Sequence, residues 1–239
     1  MKNKNNDFNL PIKKNSKLRK LKNNEIIENK RNYYEDHEIK YLNKEELITL
    51  FKYLRTRDTF YLLFCLFLYE TASRYGEAVN AKFSDLDNFT GKIKLINLKQ
   101  KTFSKHKFKI IVISNELKNL ILSHYIYLKE LSPSVNMNDF ILIKKPNRKP
   151  PTEQGVNKQL KIYFKEALGE NYVDRAHTHT FRHSKAISLL ETSGNIMQVK
   201  LLLGHKFLSN TAIYLQYSNP DLFKVLNQDN DDFYSRFQL

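Results

Sequence analysis

The run Phe60-Tyr61-Leu62-Leu63-Phe64-Cys65-Leu66-Phe67-Leu68-Tyr69 constrains the fold of this chain more than any other stretch. A helix built from it has no polar side to turn to water, so other elements must surround it. It falls short of the ~20 apolar residues that a membrane-crossing helix needs. Asp58 stands ahead of the run as an N-cap, and the helix is expected to end near Ser73, close to Arg74. Cys65 is the single cysteine, which excludes an internal disulfide and a cysteine-only metal site. Within this run it reads as a small buried apolar residue.

The remaining pattern supplies the elements that would cover that helix. Asn43 and Glu46 form a capping-box pair ahead of Leu47, Ile48, Leu50, Phe51 and Leu54, an amphipathic helix. Lys92 to Ile96 alternates, breaks at Gln100-Lys101-Thr102, and resumes as a β-branched run from Lys107 to Ile113, a strand–turn–strand pattern. Ser114 then caps a helix with Leu117, Leu120, Ile121, Tyr125 and Leu128 on one face. Phe140 to Ile143 reads as a short strand, and a Pro- and Lys-rich loop follows it. Glu153 to Leu168 reads as a helix. A further helix runs from Thr180 to a C-capping Gly194, and another from Asn195 to Gly204. A short helix is expected to carry Tyr214, and a last one to start at Asn219-Pro220. The fold class is α+β, mainly α-helical with one small antiparallel sheet.

Charge narrows the partner. The 239 residues carry 40 Lys+Arg against 25 Asp+Glu, a net charge of +15 and a pI near 9.6. Such a surplus suits a polyanion, because each cation near a phosphate releases condensed counterions. A lysine-rich composition without any such partner is the plain alternative. Residues 1–40 are polar and basic, with Lys13, Lys14, Lys17, Arg19, Lys20 and Lys22, and read as a flexible arm. No apolar stretch marks a secretory signal there. A cytoplasmic, nucleoid-associated protein without membrane contact is expected.

Chemistry concentrates near the C-terminus. His179-Thr180-Phe181-Arg182-His183 is followed by Leu203-Gly204-His205 and by Tyr214; Arg182 and His205 are 23 positions apart, His205 and Tyr214 nine. A second arginine stands upstream in Arg74-Tyr75-Gly76-Glu77. Cutting a phosphodiester needs an in-line nucleophile, balance for the charge on the equatorial oxygens, and a proton for the leaving oxygen. A tyrosine phenol can attack, and a phosphotyrosine keeps the bond energy for rejoining. Arginine forks hold phosphate with two parallel bonds and stay charged. His179 and Arg182, at i and i+3, share a helix face. Tyr217 is the alternative nucleophile, three residues after Tyr214. His177, His179, His183 and His205 offer a zinc site as an alternative. His179 and His183 have a metal-capable spacing, but no acidic residue stands in a zincin-like position.

These motifs together resemble the catalytic domain of the tyrosine recombinases, the phage integrase and Xer-like family, over residues 41–239. The resemblance implies that family's DNA breaking–rejoining fold and a site-specific recombinase of integrase, resolvase or invertase type. It makes Tyr214 the nucleophile that forms a 3′-phosphotyrosine, with Arg74 and Arg182 as the phosphate clamp and Glu77 steadying Arg74. His179 would assist proton transfer from the phenol, and His205 would donate to a non-bridging oxygen. His183 reads as structural support and His177 receives no role. The general acid would be a lysine on the β-hairpin turn. Lys101 fits the Lys-Thr turn, with Lys99, Lys105 and Lys107 as rivals. No cofactor or metal is implied. The expected partners are double-stranded DNA and three further copies, a tetramer on two DNA sites, with a tail helix from Asp221 to Leu239 packing on a neighbour.

The resemblance leaves two rivals, a non-catalytic DNA-binding protein on the same fold and a type IB topoisomerase-like enzyme. It also lacks room for the separate core-binding domain that most simple members carry, since only about 40 residues precede the catalytic region. A minimal recombinase, a truncated chain and a decayed copy are the three explanations.

Overall fold

A computed structural model describes residues 39–98 and 108–217. The expected basic arm (residues 1–40), the hairpin turn with Lys99, Lys101, Lys105 and Lys107, and the tail helix therefore lie outside the described residues, apart from the arm's last two positions.

Helix α1 (Lys44–Arg57) begins at the capping box expected from sequence: Asn43 Oδ1 accepts from Glu46 N at 2.9 Å, and Glu46 Oε2 accepts from Asn43 N at 2.8 Å. Leu47, Leu50 and Leu54 bury its inner face. Helix α2 (Thr59–Thr71) begins where Asp58 Oδ1 accepts from Tyr61 N at 3.0 Å. It buries residues on all sides, including Leu62, Phe64, Cys65, Phe67 and Leu68, and is the central element of the domain. At ~1.5–3 kcal/mol for each large apolar side chain removed from water, this helix is the largest single contributor to the core. It stops at Ala72, which adopts a left-handed conformation with φ 45°.

A short helix α3 (Tyr75–Val79) and a 3₁₀ turn (Phe83–Asp85) lead to a three-stranded antiparallel sheet in the order β1-β2-β3. Its strands are β1 (Leu86–Asp87), β2 (Lys92–Ile96) and β3 (Phe108–Val112). The β2–β3 register pairs Ile93 with Ile111 and Leu95 with Lys109. Ile93 and Leu95 are buried, so Lys109 belongs to the inward set of its strand. Helix α4 (Asn115–Leu131) starts at Ser114, whose hydroxyl accepts from Leu117 N and donates to Glu70 on α2.

Phe140 to Ile143 is not the strand expected from sequence. A single bridge joins Lys82 to Phe140, and Ile141, Leu142 and Ile143 continue as fully buried turn. Burial explains the difference: four apolar residues fill the core as readily from a turn as from a strand.

Helix α5 (Glu153–Leu168) and a 3₁₀ turn (Glu170–Arg175) precede α6 (Thr178–Ser193). Helix α6 packs Phe181 against Phe51 and Phe164 at ring distances of 6.4 and 6.1 Å. It ends at left-handed Gly194, as expected, and α7 (Ile196–Leu203) ends at left-handed Gly204. Asn195 caps α7 through Met197 N and Gln198 N. A four-residue helix α8 (Ser209–Ala212) runs into the 3₁₀ turn Ile213–Gln216, which carries Tyr214.

Candidate active site

The end of α2 is where the candidate residues gather. Left-handed Ala72 turns its carbonyl toward α6, and Arg182 Nη1 donates to it. Arg182 Nη2 donates to Leu203 O at 2.8 Å. The guanidinium is 3% exposed, and burial, helped by the neighbouring Arg74, brings its pKa down to about 10. It remains fully charged at neutral pH.

Two residues past Ala72, Arg74 precedes α3. Arg74 Nη1 donates to Glu77 Oε1 at 2.8 Å, and Arg74 N donates to Glu77 Oε2 at 3.1 Å. This is the Arg-x-x-Glu support expected from sequence. Glu77 is buried. Burial alone raises its pKa, but Lys109 and Arg74 together outweigh that and hold the carboxylate below its ordinary range.

His205 follows the Gly204 cap, and its Nε2 lies 3.2 Å from Arg182 Nη2. Arginine has no lone pair to offer, so Nε2 is the acceptor. The proton then resides on Nδ1, 3.1 Å from Thr211 Oγ1. To donate to a phosphate oxygen through Nε2, the ring must change tautomer or take a second proton.

Tyr214 is 2% exposed, and its Oη shares a 2.9 Å hydrogen bond with His183 Nδ1. Burial pushes the phenol up to about 12, against the pull of Arg182 and Arg74. Burial also takes His183 down to about 3, and the neighbouring His179, Arg182, His177 and His205 add to the effect. A neutral imidazole therefore faces a protonated phenol. Tyr217 instead packs edge-on against Tyr41, with ring centroids 5.6 Å apart.

His179 is half exposed on the first turn of α6. Its ring lies 6.3 Å from that of His183, and Nδ1 is 3.9 Å from Glu153 Oε1. The same carboxylate oxygen accepts from Thr178 Oγ1 at 2.8 Å, which fixes the start of α6 against the start of α5. His177 Nδ1 sits 3.1 Å from Thr180 Oγ1, and its backbone N donates to Arg175 O at 3.0 Å. Among the described residues, no three His, Cys, Asp or Glu side chains converge as a metal site.

Five of the six residues predicted from sequence are thus described: Arg74, Arg182, His205 and Tyr214 converge, with His179 beside His183 at the rim. Lys101 lies outside the described residues. Sequence reasoning missed two contacts. The first is the direct bond of His183 to Tyr214. The second is Lys109, whose Nζ donates to Thr71 O at 3.1 Å and lies 3.5 Å from Glu77 Oε2. Its signal in the sequence is parity, since Lys109 shares the inward phase of Ile111 and Ile113 in an alternating strand.

Comparison with known proteins identifies the family and the fold. Residues 40–219 match the Phage integrase family, well over half of the chain. Tyrosine recombinase XerC of Staphylococcus carnosus (strain TM300) is 32% identical over 158 residues, covering 66% of this chain and 49% of the relative. Tyrosine recombinase XerC of Staphylococcus saprophyticus is 29% identical over 209 residues, covering 84% and 64%. The chain spans about half the length of most of these relatives. Among solved structures, XerA recombinase superposes with a TM-score of 0.63 at 23% identity, covering 81% of this chain and 66% of that one. The catalytic domain of bacteriophage HP1 integrase does so at 0.52 and 21%, covering 80% and 95%. These structures share the fold, and the family match runs from residue 40 to beyond Tyr214: the chain belongs to the phage integrase family.

Proposed function

We propose that this chain cuts and rejoins duplex DNA as a site-specific recombinase, through a 3′-phosphotyrosine on Tyr214. The observation that carries the reading is the convergence of a buried, bonded tyrosine with two arginines and His205 on the end of one helix. An isolated tyrosine in a core has no use for two guanidinium groups beside it.

In the cleavage step Tyr214 Oη attacks phosphorus and the P–O5′ bond breaks. The phenol proton leaves with the help of His179, and the 5′ oxygen takes a proton from the hairpin lysine, assigned to Lys101. Arg74 and Arg182 balance the charge on the non-bridging oxygens, and His205 adds a hydrogen bond once its proton is on Nε2. The reverse step rejoins the strand without ATP, because the phosphotyrosine bond stores the energy of the one it replaced. A phenol that is 2% exposed is out of reach of a duplex. DNA entry therefore has to accompany a shift of the turn Ile213–Gln216 that frees Oη from His183. Burial keeps the phenol protonated until then.

Double-stranded DNA as partner fits the surplus of cations and the XerH recombinase structures bound to difH substrate, which share this fold. A tetramer on two DNA sites and a cytoplasmic, nucleoid-associated location complete the reading. The test uses nicked suicide duplexes built from the DNA that flanks the gene. Wild type is expected to give a covalent protein–DNA band on denaturing gels, and Tyr214→Phe to bind the same DNA without one. Firm binding with no band from wild type would favour a DNA-binding protein on this fold. Site-independent relaxation of supercoiled plasmid would favour the topoisomerase-like alternative.

A further inference from the structure

We infer that Lys109 is a positioning residue for DNA cleavage, locking Glu77, and through it the Arg74 guanidinium, to the end of helix α2. The inference rests on the recombinase reading above.

Each oxygen of the Glu77 carboxylate has its own task. Oε1 accepts from the Arg74 guanidinium at 2.8 Å. Oε2 accepts from the Arg74 backbone at 3.1 Å and faces the Lys109 ammonium at 3.5 Å. Among the described residues, Oε2 would keep one backbone N–H without the ammonium, and the carboxylate can rotate. The fork it orients would then lose its fixed direction.

Lys109 also reaches the α2 terminus. The last carbonyls of a helix lack intrahelical partners and carry partial negative charge. Thr71 O takes Lys109 from β3, and the next carbonyl, Ala72 O, takes Arg182 from α6. Two cations from different elements thus dock on consecutive carbonyls, and Glu77 ties the Lys109 side to Arg74. Lys109 fixes the spacing between the two arginines of the proposed clamp.

The strand is anchored as well. At the same end of the β2–β3 pair, just beyond the Ile96–Phe108 pairing, Asn97 and Leu98 leave β2 against two glycines of the site. A Cβ on Gly204 would meet Asn97 Nδ2 at 3.2 Å, and a Cβ on Gly76 would meet Leu98 Cδ1 at 2.9 Å. Both strand ends that flank residues 99–107 are therefore tied to elements bearing candidate active-site residues. Burial draws the Lys109 ammonium down to about 8, with Glu77 opposing and Arg182 and Arg74 adding to it. It is mostly protonated at pH 7 and able to pair.

The test measures covalent trapping in a single turnover. A suicide duplex that wild type traps, taken from the flanking DNA or selected from a randomised pool, is made with an ordinary O5′ and with a 5′-bridging sulfur. A thiolate leaves without a proton donor, so sulfur rescues loss of a general acid but not loss of positioning. Lys109→Met, which keeps the stem and removes the charge, is expected to trap the O5′ substrate roughly 10- to 100-fold more slowly, the scale of a misplaced reacting group. Its non-covalent affinity should stay within a few-fold of wild type. Lys109→Arg should restore most of the rate, and sulfur should rescue Lys101→Ala but not Lys109→Met. If Lys109→Met fails to fold, Lys109→Gln takes its place at matched folded fraction. Trapping by the neutral variant at the wild-type rate would make Lys109 a space-filling residue, and rescue by sulfur would make it the proton donor; either overturns the inference. Failure of wild type to trap any member of the pool would instead remove the recombinase reading and this inference with it.

Discussion

The His183–Tyr214 pair ties the stability of the fold to pH. His183 is neutral in the folded chain down to about pH 3, while an unfolded histidine takes its proton near 6.5. Between those values the unfolded chain binds the extra proton, so this pair's contribution is fully present above about pH 6.5. It is lost as pH falls toward 3, at about 1.4 kcal/mol per pH unit. His183→Gln offers an amide to the phenol without that titration. Denaturant unfolding from pH 4 to 7 should show a shallower acid loss in His183→Gln than in wild type, and equal slopes would count against the burial of a neutral ring. The site residues were legible where the information is local. Arg74 and Glu77 pair at i and i+3, and His205 and Tyr214 are spaced by a short cap and turn. The His183–Tyr214 bond was not, because it depends on how α6 and the last turn approach each other. The inward place of Lys109 was not either, because a lysine in an alternating strand reads by default as solvent-facing.

Helices α1, α2, α4, α5 and α7 start at residues whose side chains bond the backbone. Asp58 serves two elements, capping α2 through Tyr61 N and accepting from the Tyr163 hydroxyl of α5 at 2.7 Å. Asp58→Ala should cost about 1–2 kcal/mol for the cap, and more for the buried Tyr163 hydroxyl it leaves without its acceptor. The melting temperature would fall by about 2–4 °C per kcal/mol. Asp58→Asn keeps an acceptor and should recover most of that; equal losses in both variants would mean that the charge matters, not the cap. The capping residues Asn43, Asp58, Ser114, Asn195 and Gly194 were all readable, because a cap is a short-range bond with a fixed residue preference. The turn at Phe140–Ile143 was misread because burial on all sides removes the periodicity that distinguishes strand from turn. The two-residue strand β1 and the five-residue α3 are too short to leave a pattern.

At the scale of the whole molecule, the proposed binding of DNA carries a salt dependence set by how many phosphates the surplus cations neutralise. Lys144, Lys145, Arg148 and Lys149 form an exposed basic loop ahead of α5, and Lys144 lies over the Tyr61 ring at 4.5 Å. Each phosphate neutralised contributes about 0.9 to the slope of log affinity against log salt on B-form DNA. Replacing Lys145, Arg148 and Lys149 together by Ala should weaken binding on all sequences alike and lower that slope by up to about 3. Fluorescence anisotropy across a salt series reads this directly, and an unchanged slope would move the DNA to another face. The larger claim is that this basic domain brings its charge to bear around one nucleophile. It is tested most directly by digesting a trapped protein–DNA adduct with nuclease and protease and sequencing the modified peptide by mass spectrometry. The account predicts a nucleotide remnant on Tyr214; a remnant on Tyr217, or on any other residue, would contradict it.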